Sequence, residues 1–391
     1  MIGTGDCLHP EWMKELKTRL EPAEPGLFKL KSAYERDVKR RLPAACQGEV
    51  RFLLSTEISS IYKKDNKVRK VHNVLFFPSF EIADNVFKRL DRIGNLHSDG
   101  RPILGLDARD LLEIVLEADA SNVLVPAHIW TPWFSVLGSK SGFDSIEECF
   151  EDLTTCIFAL ETGLSSDPLM NWRLSKLDAF VMMSNSDAHS APNLGRESTM
   201  FDTDLSYPAM MDAMRNNSKG LAGTVEFFPE EGKYHYDGHR ACHCRLHPKE
   251  TIVHKGVCPV CGQGVTVGVM TRVEELADHP EGRKSPRGRP YYSLIPLPEI
   301  IGAARGMGVG SKSVQETYET ALRELGPEMK ILMELPIEAI GEVTGGLIAE
   351  GVNRVRQGKV SIAAGYDGEY GTINIFSEQE RQGSKGQMTL F

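Results

Sequence analysis

No apolar run in this sequence approaches the ~18 residues that a bilayer-spanning helix needs, and the N-terminus has no basic-then-apolar leader. These absences point to a soluble chain kept inside the cell, with a cytoplasmic location and no membrane partner. An excess of positive charge is also lacking: 45 Lys and Arg stand against 54 Asp and Glu, a net charge of −9. Bulk electrostatics therefore does not coat nucleic acid with this chain, although a local basic groove would suffice for a positioned enzyme. No repeat of solenoid period is present. What is there is ordinary folded-protein composition, 41% hydrophobic and 25% charged, which excludes disorder of the whole. The 391 residues exceed what one core usually organises, about 250–300, so two or three domains are expected.

The first two-thirds alternates between strand-like and helical stretches. Apolar strand runs are read at Glu49–Ser55, Val71–Phe77, Ser121–Pro126, Cys156–Leu160 and Ala179–Met183. Helices are read at Glu11–Arg19, Phe80–Ile93, Arg109–Ala118, with Asp107 as N-cap, and Ser145–Leu153. Such alternation predicts an α/β sheet or barrel. Beyond Gly232 His and Cys become dense, a short helix follows at Arg272–Asp278, and a basic Pro-rich run spans His279–Pro290. From Leu297 the pattern is helical with a glycine-rich break at Gly306–Gly310, and short strands return at Lys359–Ala363 and Gly371–Phe376. The corresponding division is 1–231, a catalytic α/β unit; 232–293, a metal module with its basic loop; 294–376, a helical DNA-binding region; and 377–391, a flexible tail.

Of eight cysteines, four are scattered and four crowd between Cys242 and Cys261. Without a secretion signal such a cluster is a metal site rather than a disulfide framework. Cys258-Pro-Val-Cys261 is a half-site for tetrahedral Zn²⁺. In the first knuckle Cys242 is joined by His239, His243 or Cys244; His239 is favoured because its two-residue gap mirrors the second half-site. Four protein ligands leave no open position, so this zinc is structural.

Carboxylates and histidines recur at strand ends: Asp6, Glu57, His72, His128, and Asp187 with His189. One histidine beside a strand is usually a satisfied core residue, and one carboxylate at a strand end is usually a helix cap. Repetition changes the reading, because strand C-termini in barrel-like α/β folds converge on one face. Mixed His and carboxylate ligands suit Zn²⁺, Mn²⁺ or Fe²⁺, and such ions clamp phosphates; Mg²⁺ is a further candidate. His9, His97 and Glu161 are less specific, His97 being read as a surface loop residue.

The segments Gly3-Thr-Gly-Asp6, Ser55-Thr-Glu57, Val71-His72, Pro126-Ala-His128-Ile-Trp-Thr-Pro-Trp133, Glu161-Thr-Gly-Leu-Ser165 and Ser184-Asn-Ser-Asp-Ala-His189 resemble the PHP (polymerase and histidinol phosphatase) family. Within it they are most similar to the DNA-repair branch, endonuclease Q, and to helicase-associated members. The resemblance implies a distorted (β/α)7 barrel beside a small zinc module and a helical C-terminal region. It further implies a multi-metal centre, with Asp187, Asp6 and His189 in catalysis. The implied reaction is hydrolysis of DNA on the 5′ side of uracil, hypoxanthine or an abasic site, and a repair helicase becomes a candidate partner. The family opens with an Asp-x-His-x-His strand that this sequence does not contain, which leaves full metal loading an open expectation.

DNA contacts are expected from Arg287 and Arg289 in the basic loop, beside Arg283 and Lys284. Lys312 after the glycine-rich turn, Arg196 in Leu194-Gly-Arg-Glu197, and Trp130 and Trp133, which could stack on a damaged base, complete the set. The final Gln387-Met-Thr-Leu390-Phe391 resembles the bacterial sliding-clamp pentapeptide and predicts a clamp partner in a bacterial, nucleoid-associated protein. Two rival readings remain: a small-molecule phosphomonoesterase, and a non-catalytic clamp-bound DNA module.

Overall fold

A computed structural model describes residues 1–98, 100–377 and 379–380. The expected clamp motif, Gln387, Leu390 and Phe391, lies outside them. Among the described residues no helix is long and apolar enough to cross a membrane.

The chain begins with β1 (Ile2–Gly3), α1 (Pro10–Arg19), β2 (Leu20–Pro22), β3 (Phe28–Leu30) and α2 (Ser32–Arg41). The long strands β4 (Phe52–Lys64) and β5 (Lys67–Phe77) follow. They form one hairpin whose two-residue turn, Asp65-Asn66, has φ of 50° and 59°, the positive values that match the twist of the flanking strands. The sequence reading ended the first of these strands at Ser55; the polar residues Ser59, Ser60 and Thr56 that blunted its signal are buried. Next come α3 (Phe80–Leu90), β6 (Ile103–Leu104), α4 (Ala108–Ala118) and β7 (Val123–Pro126). Asp107 caps α4 as expected, its side chain accepting the Arg109 N–H. After α5 (Ile146–Phe150), β8 (Ala159–Glu161), α6 (Pro168–Asn171) and β9 (Val181–Met183) come β10 (Ser198–Phe201), α7 (Tyr207–Arg215) and β11 (Leu221–Glu226).

The main sheet runs β2-β3-β4-β5-β7, with β1 and β6 also paired to β4. Its residues alternate strictly between two cores. Leu54, Ile58, Val71, Leu75 and Leu124 pack under the helices, while Leu53, Phe76, Val123 and Val125 face β8, β9, α7 and β11. Glu57 and His72 share the parity of Leu53 and Phe76 and so hang at one end of that second face.

Among the described residues no sheet closes, so the expected distorted (β/α)7 barrel is not shown as a continuous ladder. The strands form five separate sheets. Beyond β7 they are too short to sustain a continuous ladder, and single bonds carry the connection. The Ile129 N–H donates to the Glu161 carbonyl at 3.1 Å, and the Ser184 N–H to the Thr199 hydroxyl at 3.0 Å.

The second part comprises β12 (Asp237–His239), β13 (Cys244–Leu246), α8 (Pro248–Val253), α9 (Val269–Leu276) and β14 (Tyr291–Ser293), then α10 (Leu297–Arg305), α11 (Lys312–Leu325), α12 (Glu328–Met333), α13 (Ile337–Thr344), α14 (Gly346–Arg356), β15 (Ser361–Ala363) and β16 (Thr372–Asn374). The helices bury Leu297, Ile300, Val314, Ile331, Ile340 and Val352 in a core of their own, which reaches Val225 of β11.

Arg356 closes that helical core. Its guanidinium donates to the carbonyls of Leu332 at 2.7 Å and Ile331 at 2.8 Å, in the last turn of α12, and of Leu335 at 2.8 Å just beyond it. Arg356→Ala is expected to destabilise the protein by about 2–4 kcal/mol, and Arg356→Lys to restore little, since an ammonium cannot span three carbonyls. Urea unfolding monitored by circular dichroism checks this; an unchanged midpoint would refute it.

A candidate metal centre and a Cys/His module

Glu57 lies opposite Val74 in the β4–β5 hairpin, which makes His72 its diagonal neighbour. β7 pairs with β5 through Asn73–Pro126, and the Ala127 N–H donates to the His72 carbonyl at 3.0 Å, so His128 arrives beside them. Glu57 Oε1 is 2.9 Å from His72 Nδ1 and 3.4 Å from His128 Nε2, and the two nitrogens are 3.1 Å apart. Two ligands bound about 2.1 Å from a common ion at about 90–110° are themselves about 3.0–3.4 Å apart, so the spacing is that of one coordination sphere.

Hydrogen bonds around the cluster assign its protons. The Thr131 hydroxyl donates to the Trp133 carbonyl at 2.8 Å and therefore accepts the Nδ1–H of His128 at 3.0 Å, which leaves Nε2 of the neutral ring with a lone pair. Arg101 donates to His72 Nδ1 at 2.8 Å; an arginine has no acceptor, so that nitrogen also carries a lone pair. Glu57 Oε1 is buried without a well-directed donor. Three acceptors thus converge with no proton between them, and these residues fit a divalent cation. Without an ion, a proton on either imidazole is drawn to the same carboxylate. Burial alone would raise the Glu57 carboxyl, yet His128 and His72 outweigh it and hold its pKa well below the usual range. Burial keeps His72 low, while for His128 burial is overcome by Glu57 and the pKa is raised. Proton and metal compete for the His128 nitrogen, and a metal would be lost as the pH falls.

The remaining expected ligands surround this triad. Asp187 and His189 reach it through Arg101, whose terminal nitrogen is 3.9 Å from Asp187 Oδ1 and 3.3 Å from His189 Nε2. Burial raises the Asp6 carboxyl, Glu57 adds to the effect, and Arg101, His9 and His189 oppose it. His9 Nε2 is buried without a partner. His97, as expected, is a surface loop residue paired with Asp91 at 3.3 Å. Glu161 is not a ligand here. Its two oxygens accept the His128 N–H and the Asn185 amide, each at 2.8 Å, and burial pushes it up to about 7.

Asp6, His128 and Asp187 all adopt positive φ, at 39°, 29° and 42°. Such backbone is uncommon for residues other than glycine and concentrates at functional sites. At His128 the turn depends on Gly163, itself at φ 63°, where an added Cβ would lie 2.4 Å from the His128 Cβ. Arg101 carried no sequence signal. Its place follows from the loop: the Ser59 N–H donates to the Pro102 carbonyl at 2.9 Å, Ile103 and Leu104 pair with Ser59 and Ser60, and the guanidinium falls across Glu57, its Nε 2.9 Å from Oε2.

The cysteine-rich segment forms a second group. The ligating atoms of His239, Cys242, Cys258 and Cys261 lie within 4.8 Å of one another. Cys244 instead packs with Leu246 in the module's small core. Burial would raise the Cys258 thiol, but the N–H groups of Cys261 and Val260 and the His239 side chain bring it down to about 6. Asp237 ties the module to α9, accepting the Gly268 N–H and the Thr271 hydroxyl, each at 2.6 Å.

Several expected DNA contacts have work within the fold. Trp130 is 1% exposed and its indole N–H donates to Asn171 at 2.8 Å, so it is a core residue; Trp133 is half exposed with Lys70 over its ring at 5.0 Å. Arg287 donates to the Ala179 carbonyl and Arg289 to Asn217, while Arg283 pairs with Asp178; these bonds pin the basic loop. Arg196 donates to the Ser186 carbonyl at 3.0 Å, steadying the turn before Asp187. Lys312 extends into solvent, 89% exposed.

These features define an α/β protein with a Glu/His group and a separate Cys/His group, each able to hold a metal ion. Over 98% of its length the chain superposes on PfuEndoQ, a lesion-specific endonuclease of Pyrococcus furiosus, with a TM-score of 0.81, 31% identity and 90% of that chain covered. It also superposes on endonuclease Q in complex with a 27-mer duplex carrying an abasic lesion at its active site, with a TM-score of 0.78, 31% identity and coverage of 96% and 88%. The chain belongs to the endonuclease Q family. The family model named MJ0043 C-terminal domain matches residues 296–359. Protein MJ0043 of Methanocaldococcus jannaschii is 30% identical over 362 residues, 89% of this chain, which spans 43% of that relative's length. YqxK of Bacillus subtilis is 29% identical over 309 residues, 78% of this chain and 73% of that protein.

Gly163→Ala is expected to displace the His128 backbone and weaken Mn²⁺ or Zn²⁺ binding at the Glu57 centre by about tenfold or more, the additional strain at positive φ costing about 1–2 kcal/mol. Metal content per chain measures it, and an unaltered affinity would sink the argument.

Proposed function

We propose that this chain is a metal-dependent DNA repair endonuclease that hydrolyses the phosphodiester on the 5′ side of an abasic site or a deaminated base such as uracil or hypoxanthine. The observation that carries the reading is the convergence of Glu57 Oε1, His72 Nδ1 and His128 Nε2 without a proton among them. Support comes from the family membership and from a relative held on a duplex with an abasic lesion.

Glu57, His72 and His128 would hold the ion, Zn²⁺ or Mn²⁺ by their imidazole content, with Mg²⁺ a weaker fit. Such an ion supplies polarisation of a phosphoryl oxygen and a lowered pKa for an attacking water. Asp187, 34% exposed at the mouth of the site, accepts a proton or a ligand position, and His189 beside it can return a proton to the leaving 3′ oxygen. Asp6, with its carboxyl pKa raised by burial, is a second candidate base. Glu161 and Thr131 act on His128 by fixing its backbone and its tautomer.

Residues 1–231 would carry this chemistry, with 232–293 and 294–376 gripping DNA and 377–391 tethering a clamp-binding end. Exposed Trp133 and Lys312 remain candidate DNA contacts. A lesion lowers the cost of pulling a nucleotide from the stack, a few kcal/mol, which is the source of selectivity. His239, Cys242, Cys258 and Cys261 would bind a structural Zn²⁺, since four protein ligands leave no position for water.

Fluorescent duplexes containing an abasic site, uracil or hypoxanthine, incubated with Mn²⁺ or Mg²⁺, are expected to be nicked 5′ to the lesion, and undamaged duplex to survive. Asp187→Ala is expected to reduce nicking at least about a hundredfold while DNA affinity stays within about twofold. Equal cleavage of p-nitrophenyl phosphate, or retained nicking by Asp187→Ala, would overturn the assignment. For the module, Cys258→Ser is expected to lose one zinc per chain and to open 237–264 to proteolysis. Zinc content unchanged by that substitution would remove the structural-zinc reading.

A further inference from the structure

His239 and Cys242 stand at the two ends of a single tight helical turn, Arg240–Cys242. So short a turn does not hold itself, because ordering its residues costs more than its one internal bond returns. Its first N–H also has no partner within it. Asp367, 127 residues further along the chain, supplies one. Its Oδ2 accepts the Arg240 N–H at 2.6 Å, and its Oδ1 accepts the Thr266 hydroxyl at 2.5 Å. Thr266 in turn is bonded to Gly238 in both directions, at 2.8 Å and 3.0 Å. One carboxylate thus holds the turn between His239 and Cys242 and the bridge that returns from Cys258 and Cys261. Burial would raise the Asp367 carboxyl, but these two donors and the neighbouring His239 and Arg240 hold its pKa low. It is therefore an anion, and hydrogen bonds to an anion are about twice as strong as neutral ones.

Asp367 is itself held for this contact. It opens a two-residue hairpin turn, Asp367-Gly368, with φ of 44° and 88°, a conformation that suits an Asp-Gly pair. The turn is closed by the Glu369 N–H to the Tyr366 carbonyl at 2.8 Å and the Tyr366 N–H to the Glu369 carbonyl at 3.0 Å. The tip is fastened to the module by the Tyr236 N–H to the Gly365 carbonyl, the Gly368 N–H to the Lys233 carbonyl, and Arg245 to the Ala364 carbonyl, each at 3.0 Å. Tyr366 packs over Gly238, where an added Cβ would lie 2.3 Å from its ring. Beyond β16 the same segment buries Ile375 and Phe376 in the helical core.

We propose that Asp367 is a positioning residue for the ion of the Cys/His module, and that the ion in return locks the tip of the C-terminal hairpin onto the module. The inference rests on the reading of His239, Cys242, Cys258 and Cys261 as a metal site. Asp367 acts through the backbone between two ligands rather than on a ligand atom. Partners of this outer kind contribute about 10- to 100-fold in metal affinity. Linkage makes the effect reciprocal: what Asp367 adds to the affinity for the ion, the ion adds to the docking of residues 364–371. Metal loading of the module thereby reaches the helical core, which the ligands themselves do not touch.

Co²⁺ titration of the full chain, followed by displacement with Zn²⁺, tests this in parent, Asp367→Ala, Asp367→Asn and Cys258→Ser. Thiolate-to-cobalt charge-transfer absorption reports the module alone, since the Glu57 centre has no sulfur. Asp367→Ala is expected to weaken binding at the module by about tenfold or more. Asp367→Asn is expected to recover part of that loss, its amide oxygen taking the Arg240 N–H while its NH₂ turns to the Thr266 hydroxyl oxygen. Amide hydrogen exchange at 364–371 is expected to speed up in the parent when zinc is stripped, and to be fast in Cys258→Ser with or without zinc. Equal metal affinity in Asp367→Ala and the parent defeats the proposal, as does exchange at 364–371 that ignores zinc. A parent that gives no charge-transfer band would instead remove the metal-site reading, and the inference with it.

Discussion

Lone pairs of carboxylate and imidazole cannot be gathered within 3.5 Å of one another in a half-buried place unless positive charge lies among them. The centre around Glu57 is organised by that requirement. Thr131 takes the His128 proton on the side away from the cluster, Arg101 demands the His72 and His189 lone pairs, and no donor is aimed at Glu57 Oε1. A cation is the one kind of occupant that suits all of these partners at once.

The surrounding structure maintains this unfavourable gathering. The β4–β5 hairpin fixes Glu57 and His72 by register, and β7 adds His128 through its pairing with β5. The buried Glu161 carboxyl is spent on the His128 N–H and Asn185 rather than on the cluster. Positive φ at Asp6, His128 and Asp187 aims three side chains inward from turns that a regular strand end would direct elsewhere. Gly163 provides the clearance His128 needs. Strain of this kind persists only where neighbouring packing over-determines it, and the core of Leu53, Phe76, Val123 and Val125 on the same face of the sheet supplies that packing.

The arginines show how far context decides the role of a charge. Arg356 is consumed by three carbonyls at and just beyond the end of α12, Arg283 by Asp178, and Arg287 and Arg289 by the loop's own anchoring. Read along the chain, residues 283–289 are a basic stretch suited to a phosphate backbone; folded, their guanidinium groups fasten the stretch to Asp178 and Ala179 just before β9 and to Asn217 in the turn between α7 and β11. Lys312, the first residue of α11, and Trp133, in the loop after β7, stay exposed.

Much of this was legible in the residues alone. Periodicity located α1, α3, α4 and β7, and Asp107 marked a helix start by its chemistry. The spacing of Cys242, Cys258 and Cys261 pointed to a common group, because knuckle ligands are neighbours in sequence, while the choice of His239 over His243 and Cys244 was left open by the residues alone. Glu57, His72, His128, Asp187 and His189 stood out as expected strand-end residues, although Glu57 and His72 lie within β4 and β5 rather than at their ends. Other features depended on contacts between residues far apart in the chain. The open sheets, the burial of Trp130 and the extension of β4 to Lys64 depend on what packs against each side chain, which composition does not record. Arg101 belongs to this second class. Nothing in Gly100-Arg101-Pro102 distinguishes it from any loop arginine until β6 pairs with β4 and carries it across Glu57, since electrostatic partnership is a property of distance in space.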